Sequence, residues 1–193
     1  PIALPIGISF FTFLQIAYLV DCHRSSGATT DWLRYAFFVS GIMNSLVGTL
    51  LPFMNAEYEM SYMLSGAVIS ALQIGNFFAL MAAGFLPYLI GRKKSTITLA
   101  TGIVIGFTLM TLTGNPVLLL VAFALSGVGR GVFSNISNVV MSEIAENKAA
   151  SLNVLHAVFA VGALLAPFMA IITTVVLKID WRACAWALVA FEL

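Results

Sequence analysis

Charge is the scarcest commodity in this sequence. Asp, Glu, Lys and Arg make up 9% of its 193 residues, against about 25% in a soluble domain. A chain so poor in charge cannot clothe a water-facing surface, which excludes a soluble globular protein. Cysteine is almost absent. Cys22 and Cys184 alone give neither a disulfide framework nor a metal-ligand spacing, so both are read as plain thiols, and no metal or cofactor is expected. The few basic residues sit in separate breaks rather than in one patch, so the net charge of +1 carries no nucleic-acid footprint. A basic n-region is missing too. The apolar start PIALPIGISF is therefore not a cleavable signal, and it reads as cut from a longer chain. What is present is hydrophobic: 61% of residues, with a mean hydropathy of +1.02.

A bilayer core of roughly 30 Å needs about 20 helical residues. On that ruler the chain holds apolar segments at Ile2–Val20, Leu33–Met54, Tyr62–Ile90, Ser95–Thr113, Val117–Met141 and Leu152–Leu177, and a short one from Trp181 to Leu193. The breaks are Asp21–Trp32, Asn55–Ser61, Gly91–Lys94, Gly114–Pro116, Ser142–Ser151 and Lys178–Asp180. Arg24 and Arg34 flank the first break, Arg92, Lys93 and Lys94 fill the third, and Lys148 lies in the fifth. The second and fourth have no Lys or Arg. This alternation places the odd breaks on the cytoplasmic side. Lys178 and Arg182 run against it, with Asp180 between them.

The organising stretch is Gly127–Pro167, where polar groups interrupt two apolar runs. Lipid offers such groups no hydrogen bond, so they must face protein or a wet path. Arg130 lies near the middle of its run. It is either a substrate or gating contact or a structural ion pair or carbonyl cap; no intramembrane acid is available to it in sequence. Ser134, Ser137, Asn138 and Met141 continue its face at three- and four-residue steps. That stripe either lines a cavity or makes interhelical hydrogen bonds. Asn44, Gln73 and Asn76 offer donors and acceptors to a neutral polar ligand such as a sugar, or glue helices together. Phe77, Phe78, Phe123 and Phe133 either stack on a sugar ring or face lipid and core. Gly102–Gly106 and Gly127–Gly131 are Gly-x-x-x-Gly pairs, read as close-packing sites. Gly162 and Pro167 mark a flexible, closely packed helix, and His156 reads as a hydrogen-bonded structural histidine.

Several landmarks fall in a recognisable order. Gly84-Phe-Leu-Pro-Tyr-Leu-Ile-Gly91-Arg92-Lys93-Lys94 follows the second long helix after residue 35, Gly-x-Gly-x-Gly runs from Gly127 to Gly131, and Asp180-Trp181-Arg182 opens the last segment. From about Tyr35 onward the chain resembles the N-terminal half of a major facilitator superfamily transporter. The first landmark is similar to that family's loop motif, Gly-x-x-x-Asp-Arg-x-Gly-Arg-Lys. Gly84, Gly91, Arg92 and Lys93 match it; Tyr88 and Leu89 stand where the family has its Asp and Arg, so the acid of the cytoplasmic latch is absent. Asn44, Asn138, Asn153-Val-Leu-His156 and Gly162-Ala-Leu-Leu resemble the fucose-permease type of sugar transporter. The two acids through which that type couples to protons fall on Gly48 and Ser134, so proton symport is not implied.

Residues 1 to about 40 resemble a different family. Leu4-Pro-Ile-Gly-Ile-Ser-Phe-Phe-Thr-Phe-Leu-Gln-Ile-Ala-Tyr-Leu-Val-Asp21 is similar to a segment of the membrane-bound O-acyltransferases. His23 does not match that family's catalytic histidine, so no catalytic residue is carried over and no enzyme is expected.

The resulting expectation is an all-α, polytopic membrane helix bundle. It has one extra N-terminal helix with its loop (1–34), then the six-helix half of a major facilitator fold (35–193), divided as inverted three-helix repeats Tyr35–Thr113 and Pro116–Leu193. The expected function is transport of a small polar solute such as a sugar by alternating access, in the lipid bilayer of the plasma membrane. The solute would be bound by Asn44, Gln73, Asn76, Arg130, Ser134 and Asn138. A missing C-terminal half or a second copy would be needed for transport. The alternatives are a fragment of an O-acyltransferase and a truncated or chimeric membrane protein without activity.

Overall fold

In hydrocarbon a single segment can satisfy its backbone only by coiling on itself as a helix. The computed structural model describes residues 28–192, and among them the regular elements are six helices and no strand. They are α1 (Ala28–Glu57), α2 (Tyr62–Ile90), α3 (Arg92–Leu112), α4 (Pro116–Ile144), α5 (Lys148–Ile171), which continues as a π-helical turn Ile172–Val176, and α6 (Arg182–Glu192). The first five contain stretches long and apolar enough to cross a membrane. α6 has 11 residues and is not one of them. The N-terminal segment Ile2–Val20, with Cys22 and His23, lies outside the described residues.

Several boundaries differ from the sequence reading. α1 starts at Ala28, inside the expected break Asp21–Trp32. α3 starts at Arg92, so the expected break Gly91–Lys94 shrinks to Gly91 alone. Arg and Lys are good helix formers, and charge had marked as loop what is the first turn of a helix. Asn147 accepts a hydrogen bond from the amide of Ala150 at 3.1 Å and starts α5 at Lys148, four residues ahead of expectation. Asn115 caps α4 in the same way, accepting from Val117 at 3.0 Å and Leu118 at 3.3 Å, with Pro116 at the first helical position.

The sixth apolar segment is not one regular helix. Past Pro167 the run Ile171-Ile-Thr-Thr-Val-Val176 is β-branched throughout, and such side chains crowd the preceding turn. There the register slips: the amide of Leu177 donates to the carbonyl of Ile172 at 2.9 Å, five residues back. The Thr174 hydroxyl donates to the Ala170 carbonyl at 2.6 Å. Asp180 then caps α6, accepting from the amide of Arg182 at 2.8 Å.

The chain forms two compact units. One comprises the described residues up to Thr49 with Ser137–Cys184. In it α1 meets α5 backbone to backbone: a Cβ on Gly41 would strike the carbonyl of Phe159, and one on Gly162 that of Phe38. Phe37, Ile42 and Leu155 are buried here, and the Phe37 ring lies 5.5 Å from Phe159 and 5.7 Å, edge-on, from His156.

The other unit comprises Leu50–Ile136 and the residues from Ala185. In it α4 serves two neighbours. Against α2, Gly75 faces the carbonyl of Ala124 and Gly127 that of Leu72, leaving no room for a Cβ. Against α3, a Cβ on Gly102 would come within 2.6 Å of the Leu125 carbonyl, and Gly106 faces the Ser126 hydroxyl. Where no hydrophobic effect separates helix from lipid, such close approach is what holds helices together. Tyr58 fastens the end of α3, donating from its hydroxyl to the Met110 carbonyl at 3.0 Å.

Candidate functional site

The glycines of α4 determine which polar groups can meet. Gly127 lets α2 approach until its own Cβ position would be 3.0 Å from the amide nitrogen of Asn76. One turn on, the Asn76 side-chain oxygen would lie 2.5 Å from a Cβ on Gly131. At that separation Gln73, one turn before Asn76 on α2, comes within reach of Arg130. The Arg130 guanidinium donates through Nη2 to Gln73 Oε1 at 3.0 Å. Arg130 is half-buried and Gln73 exposed. A cation at mid-span is thus held by a neutral amide on the neighbouring helix, a pairing the sequence reading did not anticipate.

Gln73, Asn76 and Arg130 are therefore brought together, and Ser134 lies one turn beyond Arg130 on α4, half-buried. All four belong to the unit Leu50–Ile136. Asn44 and Asn138 belong to the other. Asn44 is half-buried on α1. Asn138 presents a fully buried Oδ1 with no hydrogen-bond partner among the described residues. An orphaned acceptor of this kind costs about 1–3 kcal/mol and marks a place where a donor would be welcome. Farther along α4, Ser137 and Met141 are 3% and 0% exposed, so the open part of the stripe is its Arg130–Ser134 end.

The aromatic candidates divide. Phe77 and Phe78 are exposed on α2 and meet edge to face at 5.7 Å. Phe133 is half-buried. Phe123 has no exposed surface; it is a core side chain and cannot stack on a solute.

The loop-motif residues also find their places. α2 runs to Ile90, so Gly84 lies within it; a Cβ there would meet nothing. Gly91 makes the whole turn, at φ 85°, ψ 151°, a conformation costly to any residue with a Cβ. Its amide donates to the Pro87 carbonyl at 3.1 Å, and its carbonyl accepts from Ser95 at 3.0 Å. Arg92 and Lys93 occupy the first turn of α3. Gly162 is a contact point between helices, and Pro167 precedes the π-helical turn by five residues. Among the described residues no three His, Cys, Asp or Glu side chains are grouped as a metal would require.

The arrangement thus offers hydrogen-bonding groups inside an apolar span. The chain is 26% identical over 117 residues to the High-affinity glucose transporter 1 of Candida albicans, covering 57% of this chain and 22% of that protein. It is 28% identical over 129 residues to the Galactose-proton symporter of Escherichia coli K12, covering 65% and 28%. It thus spans less than a third of either transporter. Over 53 residues it is 42% identical to the Probable alginate O-acetylase AlgI of Pseudomonas aeruginosa, covering 27% of this chain and 10% of that protein. Residues 35–193 match the model of the Major Facilitator Superfamily. With that match across most of its length and five helices able to cross a bilayer, this multi-pass membrane chain belongs to the Major Facilitator Superfamily.

Proposed function

We propose that the protein carries a small polar solute of the sugar type across the plasma membrane by alternating access. The observation that carries this reading is the Arg130–Gln73 hydrogen bond beside Asn76, within two helices long and apolar enough to cross a membrane. A charged side chain at mid-membrane is expensive and is found where a solute or ion passes. Gln73, Asn76, Arg130 and Ser134, all in one unit, would contact the solute, and likeness to glucose and galactose transporters supports a sugar-type one. Asn138 and the Asn153–His156 segment favour the fucose-permease type, and Gly48 and Ser134 speak against proton coupling through those positions. Residues 35–193 form the transporting part in this reading, together with a further six-helix half or a second copy. Gly91 acts as the cytoplasmic turn and Arg92 and Lys93 open the helix after it, while Gly127, Gly131, Gly162 and Pro167 let helices slide and bend.

A second origin is proposed for residues 1–34, as an O-acyltransferase-like segment. The 53-residue likeness to the alginate O-acetylase supports it. Sequencing the gene across codon 40 tests it: a junction there in the transcript but not in the genome rejects a single natural frame.

The transport reading is tested by reconstituting the full-length protein in liposomes and screening labelled hexoses, pentoses and sugar acids, with and without a pH gradient. Saturable uptake of at least one solute, unaltered by the gradient, is expected. No uptake of any solute rejects the carrier reading; uptake driven by the gradient rejects the uncoupled form of it.

A further inference from the structure

We infer that the C-terminal end of α5 is a register switch. Its segment Ile172–Leu177 passes between the π-helical register of the structure and an α-helical one, and shifts the head of α6 as it does so. The switch does not depend on which solute is carried; it adds a moving part to the carrier reading above. All its residues lie in the unit that holds Ser137–Cys184.

The hydrogen bonds allow the exchange at little cost. The carbonyl of Ile172 accepts from Leu177 at 2.9 Å, and that of Thr173 from Ile179 at 3.0 Å. In the α register the same two carbonyls would accept from Val176 and Leu177. Each keeps a donor. The Ile179 amide is released between Lys178 and Asp180, both exposed, where water can take it. Strain is divided between the registers as well. The α form crowds the β-branched run Ile171–Val176 against the turn before it. The π form is followed by Lys178 at φ 53°, a left-handed conformation that any Cβ resists. Pro167 has no amide to give the Ala163 carbonyl, so α5 is already loosened upstream. Two arrangements with matched bonds and opposed strains make a bistable element.

The contact that senses the register is Thr173 with Cys184. Thr173 is 8% exposed, and its side chain hydrogen-bonds the Cys184 sulfur on α6. When Thr173 lets go of Ile179, the Asp180 cap and the first turn of α6 move with that residue, and Cys184 parts from Thr173.

Amide hydrogen exchange of the full-length protein, read at Ile179 by mass spectrometry with electron-transfer fragmentation, follows the switch directly. Lys178→Gly removes the left-handed penalty and favours the π register, so it should slow Ile179 exchange roughly fivefold or more. In an ordinary loop the same glycine would hasten it. Val175 and Val176 are exposed, so leucine displaces nothing at either position. The double variant Val175→Leu, Val176→Leu relieves the crowding of the α register and should hasten exchange roughly twofold. Both variants are read as single species from size-exclusion chromatography. No effect, or the opposite effect, in either variant overturns the inference. The functional arm locks the π register. Thr173→Cys is placed beside Cys184 in a protein whose other cysteines are serine, and oxidation joins the two sulfurs. Saturable uptake in liposomes should then fall to background and return on reduction, while a Thr173→Ser control ignores the oxidant. Undiminished uptake with the disulfide formed, or no disulfide on oxidation, overturns the inference. If the unmodified protein carries no solute of the panel, the carrier reading falls and the exchange rates alone decide the switch.

Discussion

Arg130 is costly where it stands: on insertion scales an arginine at the middle of a span costs roughly 2.5–3.5 kcal/mol. Replacing it by Ala removes that cost, so the variant should enter the membrane at least as well as the parent. If the guanidinium contacts solute, saturable uptake should nevertheless disappear. The check is paired: membrane-fraction yield and initial uptake rate on the same vesicles. Unchanged kinetics in Arg130→Ala would remove the residue from the substrate path. The sequence made Arg130 conspicuous because charge in an apolar run is visible without any fold. Its contact with Gln73 was not visible. Gln73 is 57 positions away, and a search for an acid passes over an amide. Phe123 resolves to the core alternative, which sequence alone left open: an aromatic in a span looks the same whether it faces a solute or a core.

Helices α2 and α4 pack through glycine, and the same residue type has opposite effects on the two. At Gly127 a Cβ would strike the backbone carbonyl of Leu72, which cannot rotate aside. At Gly84 it would meet open space. We predict that Gly127→Ala destabilises the protein by about 1–3 kcal/mol, the usual scale of overpacking, and weakens uptake by moving Gln73 away from Arg130. Gly84→Ala should stabilise by about 0.5–1 kcal/mol, since alanine is the better helix former and nothing is displaced. Thermal unfolding in detergent compares the two; a lowered midpoint for Gly84→Ala or a raised one for Gly127→Ala would contradict the packing account. Element existence was readable throughout the described residues, because length and hydropathy alone select helices in lipid. Element ends were less so. Charge placed Arg92–Lys94 in a loop, whereas the turn needs only the positive φ that Gly91 supplies. The π-helical turn after Pro167 depends on how a β-branched run accommodates its crowding, which periodicity does not report.

For the molecule as a whole, the sequence reading expects two three-helix repeats, Tyr35–Thr113 and Pro116–Leu193, while the two compact units each take residues from both ranges. α1 and α4 each have a part in either unit, a consequence of packing between helices far apart in sequence that no linear reading contains. Orientation in the membrane, by contrast, depends on charges that sequence does display. Three of the cations stand together at the α2–α3 turn, Arg92, Lys93 and Lys94, while the α1–α2 and α3–α4 connections have none. Lys and Arg near the ends of spans hold a connection on the cytoplasmic side, and acids count for little. We therefore predict that a cysteine placed at Ser61 is labelled by an impermeant thiol reagent from outside whole cells and one placed at Lys94 only after lysis. Adding Arg92→Glu and Lys93→Glu removes most of the retaining charge, and the cysteine at Lys94 should then become partly accessible from outside, with Ser61 protected in the same fraction of molecules. If both positions keep their original accessibility in that variant and uptake is undiminished, the α2–α3 cations do not set the orientation, and the burden passes to Lys148 and to Arg34 near the start of α1.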